Sequence, residues 1–424
     1  MSSLAPLTVA LPLVAAALLV VAGKRVGRRA SDAFAIATCL AVAAMALVLL
    51  RASAASPIRH DLGGFAPRGE LVLGIALEVE PIGAGLVALG AALAALALLF
   101  ATKYFERVEA LFHALLLAFV AGLAGFALTF DLFDLFVFFE LMSVSAFALA
   151  GYESDEPAAL QGAINFAVPH AVAGAVMLMG IGVLYQRAGT LDLGALGRAL
   201  ATRPDRVVAV AFVLVNAALL VKSALVPFHF WLPDAHAVAP TPVSVMFSSV
   251  MVPAGLYGIA RVSETAFAGA FAASPDRLRA LLVVPGAITV VATGVLALAQ
   301  RHIKRLLAFS TASHMGLIAV GIALAWPEPP RAAATYALGH GLVKASLFLA
   351  TGIVLHRYRS VDTVELRGRG REMPWLGVLF AAGALALAGL PPFGVATGTE
   401  ALEDLARGRG ARWFPWLAAA SAVL

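Results

Sequence analysis

Hydrophobic residues recur along this chain in runs of about 20, the length that an α-helix needs to cross a bilayer. Short stretches that contain arginine, glycine or proline separate these runs. The pattern predicts an all-α polytopic membrane protein. The runs lie near 4–22, 33–50, 82–102, 108–130, 132–151, 160–186, 207–225, 241–262, 279–299, 305–325, 332–356 and 374–390, and a thirteenth begins at 412.

The segment 58–80, between the second and third runs, has a different pattern. It contains Gly63, Gly64, Pro67 and Gly69, and it continues into the alternating sequence LVLGIALEVE. Turn residues followed by alternation of period two are typical of a β-hairpin. We expect a small external hairpin here, with a structural role.

Composition narrows the class of protein. Hydrophobic residues make up 61% of the chain and charged residues only 13%, whereas soluble domains have about 25% charged residues. The net charge of +5 comes from arginines in short loops, so the sequence predicts no nucleic-acid partner. The single cysteine, Cys39, excludes a disulfide framework and a Cys-based metal site. The basic residues follow the first run, which indicates a retained span and not a cleaved signal peptide.

Orientation follows from lysine and arginine in the short loops. Basic clusters follow the first, ninth and eleventh runs, so that these loops lie on one side. They contain Lys24, Arg25, Arg28 and Arg29, then Arg301, Lys304 and Arg305, then Arg357, Arg359, Arg367, Arg369 and Arg371. This predicts an external N-terminus, although the loop with Arg187, Arg198, Arg203 and Arg206 opposes the rule.

The stretch NAALLVKSALVPFHFWLPDAHAVAPTP, residues 216–242, is the clearest candidate for chemistry. Lys222 follows about fifteen apolar residues, and the helix is then broken at Pro227 just before His229. A lysine at membrane depth is costly and normally faces a partner or a hydrated cavity. Together with a broken helix it indicates an ion pathway. The alternative is a helix end with a lysine that snorkels to the surface.

A second break repeats the first. LVPFH ends the seventh run and LPPFG, with Pro391 and Pro392, ends the twelfth. Helices broken at matching positions are typical of transporters built from inverted repeats. We therefore divide the chain into N-terminal helices with the hairpin at 1–106, a first repeat at 107–262 and a second at 277–424.

Further ionisable residues lie inside apolar runs. Glu140 lies in FFELMSVSAF, and if it faces Lys222 the two titrate as a coupled pair that drives protons. The alternative is a static salt bridge. His340 and Lys344 are four residues apart on one helix face, and with His314 they could relay protons or simply be hydrogen-bonded core residues.

Glu400, after the second break, is either a final relay or the polar end of its helix. The chain shows no metal-ligand spacing, Gly-rich phosphate loop or nucleophile triad. We therefore expect no cofactor, no metal and no redox centre on this chain.

The motifs KSALVPFHFWLPDAHAVAPTPVS, HIKRLLAFSTASHMG and GHGLVKASLFLATG resemble the antiporter-like membrane subunits shared by respiratory complex I, Mrp-type cation/proton antiporters and group 4 membrane hydrogenases. The resemblance covers most of the chain, from the hairpin to about residue 400. It implies about 13–14 transmembrane helices, two inverted five-helix repeats and a hydrated polar axis. At matching positions, Glu140 and Lys222 resemble the family's glutamate–lysine pair, and His314, His340 and Lys344 resemble its central polar residues.

Two positions depart from the family pattern. Pro253 stands where the family usually has a lysine in the eighth span, and Thr399 or Glu400 stands where it has a lysine or glutamate. A proline inside a span frees the carbonyl about four residues earlier, here that of Ser249. Water held by Ser248, Ser249 and this carbonyl could replace the lysine as the central link, with His314 as the next titratable group.

The resemblance implies a proton-translocating, non-redox subunit of a larger NADH:quinone oxidoreductase-like or hydrogenase-like complex in the inner cell membrane. Its partners would be other membrane subunits and, through them, Fe–S and redox subunits. One alternative is a cation/proton antiporter subunit of Mrp type. The other is a non-conducting scaffold of the same fold, which Pro253 favours.

Overall fold

A computed structural model describes residues 3–23, 25–65, 74–106 and 109–423, and it omits the side chains of residues 277 and 278. Lys24 and the hairpin tip with Pro67 and Gly69 lie outside these ranges. The helices are α1 Leu4–Ala22, α2 Arg28–Ser53, α3 Pro81–Tyr104, α4 Ala110–Leu128, α5 Leu132–Ala150, α6 Pro157–Ala188, α7 Leu193–Ala201, α8 Arg206–Lys222, α9 Trp231–Val238, α10 Thr241–Met246, α11 Val252–Val262, α12 Pro275–Leu298, α13 Ile303–Ala325, α14 Arg331–Tyr358, α15 Pro374–Leu387, α16 Gly394–Gly408 and α17 Phe414–Val423.

Every predicted apolar run contains a helix, which confirms the fold class. Ten helical segments in the described ranges are long and apolar enough to cross a membrane. α12 keeps much of its apolar surface exposed, with Val284, Ile288 and Val291 about half exposed. In contrast, the apolar window of the segment 241–267 is completely buried. The chain is therefore a multi-pass membrane protein in which the segment with Pro253 is enclosed by protein.

The predicted hairpin is present. Strands β1 Ile58–Asp61 and β2 Ala76–Val79 pair antiparallel, with Ile58 opposite Val79. The buried side chain of Arg261 holds β2, since its Nη2 donates to the Glu78 carbonyl at 2.9 Å and its Nη1 pairs with the Glu80 carboxylate at 2.5 Å. The hairpin is thus tied to the end of α11.

Contacts divide the chain into two compact units. Unit 1 contains 1–149, 167–222 and 257–275, and unit 2 contains 150–166, 223–256 and 276–424. In each unit, an isolated antiparallel bridge lies directly before a long helix. Asp131 pairs with Asp192 before α5, and His302 pairs with Asp362 before α13. The same local arrangement in both units agrees with a structural repeat, while the proposed boundaries at 107–262 and 277–424 remain a prediction.

Both predicted breaks interrupt their helices. α8 ends at Lys222, and a single 3₁₀ turn at Phe228–Phe230 precedes α9. α15 ends at Leu387, and α16 begins only at Gly394, beyond Pro391 and Pro392. Pro227, Pro391 and Pro392 therefore lie in the non-helical connections. The first connection is bound by a side chain, since the Val226 amide donates to Thr289 Oγ1 at 2.9 Å. In the second, the amides of Ala388 and Gly389 donate back to carbonyls of α15.

Candidate functional site: buried polar groups in each unit

Lys222 is the last residue of α8 and lies completely buried in unit 1. Its Nζ donates a hydrogen bond to Ser143 Oγ at 2.7 Å and lies 4.0 Å from the centroid of the Phe139 ring. Ser143 in turn donates to the carbonyl of Phe139 at 2.7 Å. The amine is therefore held by one hydroxyl and one aromatic face, and it does not snorkel to the surface.

Glu140 lies one turn before Ser143 on α5 and is half-buried. Its Oε1 lies so close to Gly174 of α6 that a Cβ at this position would collide with it. The charges of Glu140 and Lys222 lie close enough to interact. The structure thus brings the predicted pair together in unit 1, with Ser143 as a hydrogen-bonding partner that sequence reasoning missed.

Unit 2 has its own row of buried ionisable groups along α13 and α14. Tyr336, His340 and Lys344 follow one another at four-residue spacing on one face of α14, and all are buried. His314 of α13 shares a 2.5 Å hydrogen bond between its Nδ1 and Tyr336 Oη, and its ring centroid lies 5.0 Å from that of His340. Lys344 Nζ donates to the Leu307 carbonyl at 3.0 Å. The structure therefore groups all three residues predicted for this region and adds Tyr336.

The expected central link lies in an unusual part of the buried segment. Residues Phe247–Met251 form a π-helical turn immediately before α11, so the hydrogen-bond ladder changes register one turn before Pro253. Ser248 Oγ lies 2.5 Å from Thr311 Oγ1 of α13, and the buried Ser249 Oγ has no hydrogen-bond partner in the described part of the chain. Thr311 lies one turn before His314. The link through Ser248, Ser249 and Pro253 stays a prediction, and Thr311 joins its candidates.

The prediction that Lys304 belongs to a basic loop is wrong. Lys304 lies in the first turn of α13, is 2% exposed, and donates to the Ala239 carbonyl at the end of α9 at 2.6 Å. His302, just outside the span, caps α13 by accepting from the Arg305 amide. Burial, together with the charges of Lys304 and Arg305, lowers the pKa of His302 to about 4. The imidazole is therefore neutral at pH 7 and able to accept this hydrogen bond.

His236 is a second residue that sequence reasoning left without a role. It is completely buried, its ring stacks on that of Phe348 at 4.6 Å, and neither ring nitrogen has a hydrogen-bond partner among the described residues. Lys304 and Lys344 lie close enough to interact electrostatically with His236. Its position in the last turn of α9 brings a buried imidazole within electrostatic range of two buried amines.

Two predicted residues lie apart from these groups. His229 in the 3₁₀ turn is only partly buried, with its ring 6.3 Å from that of Phe309. Glu400 in α16 is exposed. Across the described ranges, no group of three His, Cys, Asp or Glu side chains is arranged to hold a metal ion. What the two units offer chemically is a set of buried amines, imidazoles and hydroxyls that can exchange protons.

Comparisons with known proteins agree with this geometry. A family model described as NADH:quinone oxidoreductase/Mrp antiporter, transmembrane, matches residues 129–402. NADH-quinone oxidoreductase subunit N of Desulforudis audaxviator is 32% identical over 366 residues, which are 85% of this chain and 72% of that protein. A probable K(+)/H(+) antiporter protein of Rhizobium meliloti is 30% identical over 91% of this chain and 76% of its own length. Some relatives are covered less fully, since hydrogenase-4 component B of Escherichia coli is matched over 42% of its length.

Solved structures show the same fold. A chain of the membrane-bound sulfane sulfur reductase, an archaeal respiratory membrane complex, superposes with a TM-score of 0.90 at 29% identity over 99% of this chain and 85% of that chain. A chain of the Mrp complex from Dietzia gives 0.89 at 28% identity, covering 100% of this chain and 77% of that chain. The matched family model spans most of the chain, including α5, α8, α13 and α14. The chain therefore belongs to the NADH:quinone oxidoreductase/Mrp antiporter family of transmembrane proteins.

Proposed function

We propose that this chain is a proton-translocating, non-redox membrane subunit of a multi-subunit respiratory or hydrogenase-like complex. The observation that carries the proposal is Lys222, a completely buried amine bound to Ser143 within electrostatic range of Glu140. A buried pair of this kind contributes little stability compared with apolar residues of the same size. A role in moving charge explains why the chain keeps it.

The chemistry follows from coupling between the two groups. Placing a charged lysine at the centre of a membrane costs about 2.5–3.5 kcal/mol or more, and a nearby carboxylate offsets part of this cost. A proton that arrives at Glu140 removes this compensation and favours release of the proton on Lys222. In unit 2, His314, His340 and Lys344 supply groups that can both accept and donate a proton.

Partners and location are part of the proposal. The relatives include subunits of NADH-quinone oxidoreductase, and the similar structures come from respiratory and Mrp membrane complexes. We infer that this chain works beside other membrane subunits and receives energy through them from Fe–S-containing redox subunits. We place it in the inner cell membrane with its N-terminus outside.

A second candidate function is cation/proton exchange in an Mrp-type complex. The similarity to K(+)/H(+) antiporter proteins favours it. A third is a non-conducting scaffold, which Pro253 supports because proline supplies neither a charge nor a donor at the central position. The driving force separates the first two functions: electron donor oxidation powers the first, and a cation gradient powers the second.

The proposal is tested with the complex assembled from this chain and its partner subunits in sealed vesicles. Glu140→Gln and Lys222→Met are each expected to abolish most proton movement, because each removes one titratable group while keeping the side-chain size. Exposed Glu156→Gln and Lys103→Met are matched controls and should behave like the parent. A pH-sensitive dye reports proton movement, and the yield of assembled complex reports folding. Parental transport by both buried-site variants would remove this pair from the mechanism.

A further inference from the structure

A third titratable residue, His170, lies near the Glu140–Lys222 pair in unit 1. His170 follows Pro169 inside α6 and is 1% exposed. It lies on the buried face of this helix, while its neighbours Val168 and Val172 are more than half exposed. An ionisable residue inside a span is costly and is commonly functional. His170 has no role in the proton pathway proposed above.

The packing of α6 on α5 places His170 one helical turn from the point where Glu140 meets α6. Glu140 contacts the backbone of Gly174, one turn after His170 on α6. The ring of Phe147, two turns after Glu140 on α5, lies 5.7 Å from the His170 ring. Glu140, Ser143 and Phe147 are spaced at i, i+3 and i+7 and share one face of α5. The imidazole therefore lies along the stretch of α5 that carries Ser143.

Ser143 is the residue that accepts the hydrogen bond of Lys222. We propose that His170 is a proton-carrying residue that exchanges protons with the Lys222–Ser143 hydrogen bond, an inference that rests on the proposed function. In this step Ser143 Oγ accepts a proton from the Lys222 ammonium, and the hydroxyl proton of Ser143, which is donated to the Phe139 carbonyl in this structure, passes to the imidazole. Lys222 becomes neutral, His170 becomes charged and Ser143 stays neutral, so the total charge of the three groups is unchanged. A neutral imidazole suits this role because one ring nitrogen accepts a proton while the other can donate.

The absence of a side chain at Gly174 is part of the arrangement. Any Cβ at this position would displace the Glu140 carboxylate from α6. Glu140 therefore stays at the level of the helix turn that follows His170.

The first test compares His170→Gln with His356→Gln in the assembled complex. His356 is an exposed histidine in the last turn of α14 and serves as the matched control. Glutamine keeps a polar side chain of similar length but cannot carry a proton. Proton transport by His170→Gln should fall by about 100-fold, the lower limit for loss of a general acid–base residue, while His356→Gln matches the parent. Equal yields of assembled complex show that folding is unaffected.

Chemical rescue separates proton transfer from packing. His170→Ala leaves a space that imidazole or pyrazole can fill, and the two rings have nearly the same size but very different basicity. Imidazole should restore transport and pyrazole should not. Equal rescue by pyrazole, or parental transport by His170→Gln, would identify the ring as a packing residue and overturn the inference. A parent complex that moves no protons would instead overturn the proposed function.

Discussion

Removing the hydroxyl of Ser143 tests how much the buried amine depends on its hydrogen-bonding partner. In Ser143→Ala, Lys222 Nζ loses the acceptor at 2.7 Å and keeps the Phe139 ring at 4.0 Å. The change removes a single oxygen, so packing of α5 should be almost unaltered. The variant therefore perturbs the charged form of Lys222 and leaves its surroundings in place.

The magnitude follows from the loss of a hydrogen bond to a charged group. Such a bond contributes about 1.5–3 kcal/mol, and about 1.36 kcal/mol corresponds to a tenfold change in rate. The remaining cation–π contact, about 2 kcal/mol when desolvated, keeps the amine near its position. If the charging of Lys222 limits transport, Ser143→Ala should lower the rate by roughly 10- to 160-fold.

Ser145→Ala is a matched control on the same helix. Ser145 is 3% exposed and donates to the Leu141 carbonyl at 2.8 Å, as Ser143 does to the Phe139 carbonyl. Both variants lose one buried hydroxyl, but only Ser143 accepts from Lys222. Initial rates of proton uptake are measured in vesicles with equal amounts of assembled complex. If the two variants transport protons at the same rate, the hydrogen bond to Ser143 does not contribute and the reasoning is wrong.

Two further predictions concern unit 2. Lys304→Met should lower the stability of the detergent-purified complex to heat by about 1.5–3 kcal/mol, because it leaves the Ala239 carbonyl without its charged donor. The control Arg305→Met breaks the more exposed ion pair to Asp234 and should lower the stability by at most about 1 kcal/mol. Equal melting temperatures for these variants would contradict a capping role for Lys304. Pro253→Leu should lower proton transfer, because leucine restores the backbone N–H that can bind the Ser249 carbonyl. Pro253→Lys should preserve or raise proton transfer. Parental transport by Pro253→Leu in vesicles would place the central link elsewhere and favour the scaffold function.

The fold was largely readable from the sequence because a membrane imposes simple constraints. Each span needs about 20 apolar residues, and its backbone groups must bond internally. The apolar runs therefore predicted the helices, and the prolines of LVPFH and LPPFG predicted where two of them stop. Short helices such as α7 and α9 were missed, since they are too short or too polar to form an apolar run.

The candidate site was only partly predictable. A charged residue or histidine within an apolar run can be recognised from the sequence alone. This is how Glu140, Lys222, His314, His340 and Lys344 were identified. Tyr336 could also have been found, since it lies one helical turn before His340. Lys304 could not be assigned correctly, because a lysine at the edge of a run looks the same in sequence whether it faces water or the end of another helix.

The order of residues is enough to show which positions are apolar, charged or unable to continue a helix, and hence where most spans and the main buried ionisable groups lie. The partners of those groups depend on how the helices pack. Ser143 meets Lys222, Thr311 meets Ser248, and Gly174 makes room for Glu140 through contacts between distant parts of the chain. Helical periodicity gives the face on which a side chain lies, but the rotation and depth of each helix are set by packing against its neighbours.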